Sequence, residues 1–226
     1  MATPALLAGC GASGTWGANF LLRVAGRAGD ESVEGQTVFR TEWTTNAIVI
    51  NGSRYTSLGQ GEAVILPAGS SRSFFGLVTH PITTPGFHSR RVASLFLPHV
   101  PERLLSSEAQ RNGTFFEYLI GSRQKIAVPR ESWPVITRFA DIQDPKTVAI
   151  IPAAEMGDGG GATFQITEVT VEVTDKPLTQ EIERVLPWLT QWRGNLGGTG
   201  DANTNSLAES ISRENFIMTE ITDAGH

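Results

Sequence analysis

Through its first eighty residues the chain sets apolar side chains, many of them branched or aromatic, in short runs separated by glycine-rich links. That is the pattern of strands joined by tight turns. Asn19–Ala25 and Val33–Thr45, the latter carrying Val38, Phe39 and Trp43, each read as a strand, with Gly26–Asp30 as the turn between them. Ile48–Ile50, Asn51–Gly52 and Arg54–Thr56 form a clearer unit, because Asn-Gly is the pair a type I′ hairpin turn prefers. Glu62–Leu66 and Ser73–Val78 follow as two more strands around the turn Pro67–Ser71.

The middle of the chain is more broken. Pro81, Pro85, Pro98 and Pro101 frame one strand candidate, Val92–Leu97, and Pro101–Gln110 suits a short helix stopped by Asn112–Gly113. Thr114–Ile120 fits a strand or a helix equally by periodicity. Farther on, Trp133–Phe139 and Thr147–Ile151 read as strands around a turn at Asp144–Pro145. Thr163–Thr174 changes the parity of its apolar positions, from Phe164 and Ile166 to Val169, Val171 and Val173. That calls for a bulge near Thr167–Glu168 or else for two separate strands. Leu178, Ile182, Val185, Leu186, Leu189 and Trp192 recur at helical spacing after a turn at Asp175–Pro177, with Asp175 as the expected cap and Pro187 expected to kink the last turns or break the helix just before it. Ser206–Thr222 suits a small helix or a loosely attached tail.

These elements predict an α+β fold, mainly antiparallel β, forming a sandwich or strongly curved sheet with one C-terminal amphipathic helix packed on it. The 226 residues suffice for one sizeable core. The expected division is a flexible lead over 1–18, a single β-rich domain over 19–193, and a polar linker with a small helical or disordered tail over 194–226. A net charge of -5, with Arg90–Arg91 as the one adjacent basic pair, argues against nucleic acid as a partner. A single cysteine, Cys10, excludes an internal disulfide and a cysteine-based zinc cage.

His80, His88 and His99 share the proline-rich segment, but their spacing matches no metal-ligand motif and suits surface loops. Asp141 and Asp144 flank a turn and are expected to cap backbone there, not to hold calcium or act as acid and base. Gly157–Gly161 lacks the Gly-Lys-Ser/Thr ending of a phosphate loop. Asn51–Ser53 and Asn112–Thr114 match glycosylation acceptors but read as turns. Trp16, Trp43, Trp133, Trp188 and Trp192 are expected in packing, not on a stacking platform. No nucleophile elbow or triad emerges, so the sequence nominates no catalytic residue, no metal site and no cofactor.

Leu6-Leu-Ala-Gly-Cys10, with Trp16 soon after, Phe139–Val148, and Val169–Leu189 together carry a likeness. The chain resembles a group of uncharacterised proteobacterial envelope lipoproteins, most closely over about residues 130–193. The Leu-Ala-Gly-Cys stretch is similar to their lipobox. The resemblance implies lipidation at Cys10, a membrane contact through that lipid, an envelope protein as partner, and a periplasm-facing address; it lends no activity and no catalytic residue. No Lys or Arg precedes Arg23 and the apolar run is short for a signal peptide, so this reading expects translation to start upstream of Met1. Without lipidation the chain is expected in the cytoplasm. The expected function is a non-catalytic binding or scaffolding module. The alternatives are a soluble hydrolase-like enzyme using the His80–His99 segment, and a phage or secretion-apparatus structural subunit.

Overall fold

The computed structural model describes residues 14–50, 53–69, 72–81, 86–151, 164–196 and 210–218, with the side chains of 46–50, 53–55 and 111 left aside. Cys10, Asn51–Gly52 and Gly157–Gly161 lie outside the described residues.

Two long strands form the frame. β1 (Thr15–Ala28) and β2 (Glu31–Ile50) pair antiparallel from Thr15 opposite Thr44 to Ala28 opposite Glu31. The turn between them is therefore only Gly29–Asp30, tighter than the predicted Gly26–Asp30, because Gly26–Ala28 stay in the ladder. β3 (Ser53–Glu62) returns along β2, with Ile50 opposite Ser53, as the hairpin pattern predicts. At Ala63 the chain leaves this sheet and begins a second one with β4 (Val64–Ala68) and β5 (Arg72–Gly76).

The predicted strand Val92–Leu97 is instead a helical turn, α1 (Val92–Leu95), running into a 3-10 turn at Leu97–His99. Val92, Ala93 and Phe96 are buried there at i, i+1 and i+4, the spacing of one helix face, which a six-residue apolar run cannot distinguish from a strand. A 3-10 turn at Glu102–Leu104 and α2 (Ser107–Arg111) occupy the predicted short helix. α3 (Thr114–Ser122) resolves the ambiguous Thr114–Ile120 segment as helix and buries Phe115, Phe116 and Leu119.

Short strands then complete both sheets: β6 (Lys125–Ala127), β7 (Ile136–Phe139), β8 (Val148–Ile150) and β9 (Phe164–Thr174). β9 carries the predicted bulge. Ala25 faces Glu168 and Gly26 faces Ile166, so Thr167 is the extra residue at which the inward parity switches. Gly26 suits this point, since a Cβ there would lie 2.5 Å from the Gln165 carbonyl oxygen.

The predicted helix over Leu178–Trp192 shrinks to one turn, α4 (Ile182–Val185). Leu186, just before Pro187, has ψ 72, since the proline ring disfavours helical backbone in the residue ahead of it; the chain continues as turns. Asp175, expected as its cap, instead pairs with Arg123 at 3.0 Å. α5 (Arg213–Phe216) and β10 (Ile217–Met218) add a last edge contact beside β3.

The result is mainly antiparallel β. Among the described residues one sheet runs β10-β3-β2-β1-β9-β6 and the other β4-β5-β7-β8. Side chains from both sheets and from α1 and α3 share the main core, including Phe20, Leu22, Phe39, Trp43, Val64, Leu66, Phe74, Ile136 and Phe164. The sheets approach closely at Gly35, where any Cβ would meet the Ile65 carbonyl oxygen of β4. The other face of the second sheet has its own core, in which Phe75 and Val148 meet Ile182, Leu186, Leu189, Leu196, Ile211 and Phe216. The second sheet is thus covered on both faces, and the apolar stripe predicted over Leu178–Trp192 does its burying there without a continuous helix.

Candidate functional site

β5 and β7 leave a cavity of about 330 Å³ at the end of the second sheet. Arg72, Ser73, Arg138, Ala140, Asp141 and Ile142 are among its lining residues. Phe74 faces Arg138 across the ladder, and Arg72 lies two residues before Phe74 on the same strand face. The two arginines are therefore diagonal cross-strand neighbours, about 7–8 Å apart at Cα. Neither has an ion-pair or hydrogen-bond partner among the described residues. The carboxylate in the lining is committed elsewhere, since Asp141 Oδ1 accepts from the Gln143 N–H at 2.9 Å.

A second cavity of similar size lies beside Glu62, lined also by Gln60, Leu178, Thr179, Glu183 and Met218. Glu62 is only 5% exposed. Its carboxylate accepts from the Glu181 N–H at 2.7 Å and from the Ile182 N–H at 3.2 Å, one bond per oxygen. Burial pushes its pKa above the ordinary carboxylate value; the two backbone donors pull it down, and the charges of Glu181 and Glu183 push it up again. The arrangement serves as the cap that Asp175 does not provide.

The structure brings His80 and His88 together, with ring centroids 5.3 Å apart and the rings near perpendicular. His99 stands apart in an exposed turn, and Asp141 belongs to the turn after β7. Hydrogen-bond logic assigns the protons of the pair. His80 Nδ1 lies 2.9 Å from the Pro81 carbonyl oxygen, which can only accept, so that nitrogen carries the proton. His88 Nδ1 accepts from the Arg90 N–H at 3.3 Å, so its proton sits on Nε2. A metal finds one ready lone pair here, on His80 Nε2, and would have to displace a proton or a capping bond at His88. Among the described residues no group of three or more His, Cys, Asp or Glu side chains converges.

Burial holds the His88 pKa down at about 4, helped by the charges of His80, Arg90 and Arg91. Because the folded value lies below the ordinary 6.5, the stability linked to neutral His88 is fully present above pH 6.5 and is lost as pH falls toward 4. NMR titration of the histidine rings is expected to show His88 titrating near 4 as the Nε2–H tautomer, and a midpoint near 6.5 would contradict the buried placement.

The remaining candidates are accounted for by packing and turns. Asp144 Oδ1 accepts from the Lys146 N–H, and the Thr147 hydroxyl donates to the carbonyls of Asp141 and Asp144. Asn112 Oδ1 accepts from the Thr114 N–H and hydroxyl. Trp43 is fully buried, Trp16 stacks on Phe116, and the indole N–H groups of Trp133 and Trp188 donate to the carbonyls of Val128 and Ile142.

Comparison with family models, with curated proteins and with solved structures finds no match to this chain. Glu62, Arg72 and Arg138 were not singled out in the sequence. Glu62 carries one faint signal, an acid entering the apolar run Ala63–Leu66; nothing in the sequence joins Arg72 to Arg138.

Proposed function

We propose that this chain is a non-catalytic binding or scaffolding module of the bacterial cell envelope, a β-sandwich tethered by acyl chains on Cys10 and facing the periplasm. What supports it is the lipobox-like stretch Leu6-Leu-Ala-Gly-Cys10, and the frame is compatible with an anchor there. Two hydrogen bonds fix the start of the fold: the Gly14 carbonyl accepts from the Thr45 N–H, and the Gly14 N–H donates to the Thr45 hydroxyl. Cys10 precedes Gly14 by four residues, a reach of at most about 14 Å. A lipid there holds the Gly14 end of the domain against the membrane. β1 then carries the chain away to Gly29–Asp30, and the Gly69 N–H donates to Glu31 Oε1 at that far end, just before Arg72. Arg72 thus lies toward the end of the domain opposite Gly14. Acylation by several chains gives durable anchoring, since each buried methylene contributes about 0.8 kcal/mol.

Cells expressing the full reading frame are expected to incorporate radiolabelled palmitate into the wild-type chain and not into a Cys10→Ala variant. Absence of label from both removes the anchor and with it the envelope address.

A further inference from the structure

We infer that the cavity between β5 and β7 is an oxyanion site, in which Arg72 and Arg138 bind a phosphate or carboxylate group of a small ligand. Three observations carry this. The guanidinium groups belong to diagonal neighbours on one strand face, and like charges so placed oppose each other unless an anion lies between them. Neither group is paired with a carboxylate among the described residues, although other arginines here are: Arg40 with Glu42 at 2.8 Å, and Arg123 with Asp175 at 3.0 Å. The two arginines also line a partly open cavity of about 330 Å³, enough for a small ligand rather than a lone ion.

The chemistry of the lining narrows the ligand. Guanidinium is planar, stays charged, and offers paired N–H donors that match two oxygens of a carboxylate or phosphate. Asp141 stands in the same lining with one oxygen bound to the Gln143 N–H. It disfavours a second anionic group beside the first, so a ligand with one oxyanion and a neutral or cationic remainder fits best.

This inference rests on reading the domain as a binding module and is independent of Cys10. A silent titration leaves the palmitate result standing, and absent palmitate leaves the cavity's binding untouched. The test is calorimetric titration of the full 226-residue chain at low salt with inorganic phosphate and, separately, with acetate. Saturable binding with Kd of about 1 mM or tighter is expected for one of them. Tighter phosphate assigns a phosphate ester as the ligand group and tighter acetate a carboxylate; either carries the proposal. Arg72→Gln and Arg138→Gln are each expected to weaken binding by about tenfold or more. Arg72→Lys, which keeps the charge and loses the fork, is expected to fall between. Arg72 is exposed, so its variants keep the fold, as circular dichroism will show. Failure of both anions to saturate in the tens of millimolar, or binding left intact by both glutamine variants, overturns the site.

Discussion

Trp43→Ala is expected to destabilise the domain by about 3–5 kcal/mol, read as a lower urea midpoint at unchanged slope. The side chain is fully buried and joins three elements. It stacks on Phe116 of α3, with centroids 5.0 Å apart and planes 19° apart, and meets Phe20 of β1 edge-on at 5.8 Å. Phe116 in turn stacks on Trp16 at 5.7 Å, so truncation opens a cavity in the middle of a ladder and not at its end. Each aromatic pair adds about 0.5–1.5 kcal/mol beyond area burial. Trp43→Phe should behave very differently. The Trp43 indole N–H has no acceptor among the described residues, and a buried unsatisfied donor costs about 1–3 kcal/mol. Phenylalanine removes that donor while keeping a ring against Phe116, so a net cost of about 1 kcal/mol or less is expected. A loss for Trp43→Phe as large as that for Trp43→Ala would show that neither the retained ring nor the removed donor offsets the loss of the indole at this position.

Local pattern made much of the β architecture legible, because strand pairing here follows features that neighbouring residues carry. The parity switch between Ile166 and Val169 called for a bulge near Thr167–Glu168 or a break into two strands, and the register with β1 places the extra residue at Thr167 of one strand. The Asn51–Gly52 pair implied a hairpin, and Ile50 does face Ser53 across it. Where the outcome depended on tertiary surroundings, pattern failed. Val92–Leu97 has the composition of a strand, yet its residues pack as a helix face between other elements. Leu178–Trp192 shows helical spacing and buries the expected residues, but Pro187 stops the ladder after one turn, and turn hydrogen bonds, the Trp188 indole bond to Ile142 and burial hold the rest. The candidate sites were least legible. Asp141 and Asp144 act within their own turn and were readable as caps. Arg72 and Arg138 meet only because β5 and β7 pair, a contact that no local feature encodes.

Glu62→Ala is the second large effect expected, about 2–4 kcal/mol, because it strands two backbone donors at once. The Glu181 and Ile182 N–H groups both end on this carboxylate, and Ile182 opens α4, a helical turn packed on the second sheet. The cavity beside Glu62 admits water, which limits the loss by re-satisfying the more exposed Glu181 donor. Glu62→Gln keeps one acceptor oxygen and is expected to cost about half as much. The two variants also separate capping from charge. Burial raises the folded pKa of Glu62 above its unfolded value, so between those values the folded chain binds more protons than the unfolded one. Its titration therefore favours the fold fully below the ordinary carboxylate value of 4.5, and that contribution is lost as pH rises through the folded pKa. His88 acts in the opposite sense over the window from 6.5 down to about 4, so its contribution grows with pH where that of Glu62 fades. Urea melts of wild type and Glu62→Gln across pH 4 to 7 are expected to diverge, the variant gaining relative to wild type as pH rises. A constant difference across that range would mean that the folded chain holds Glu62 at its ordinary pKa, and that its two backbone bonds fully offset its burial.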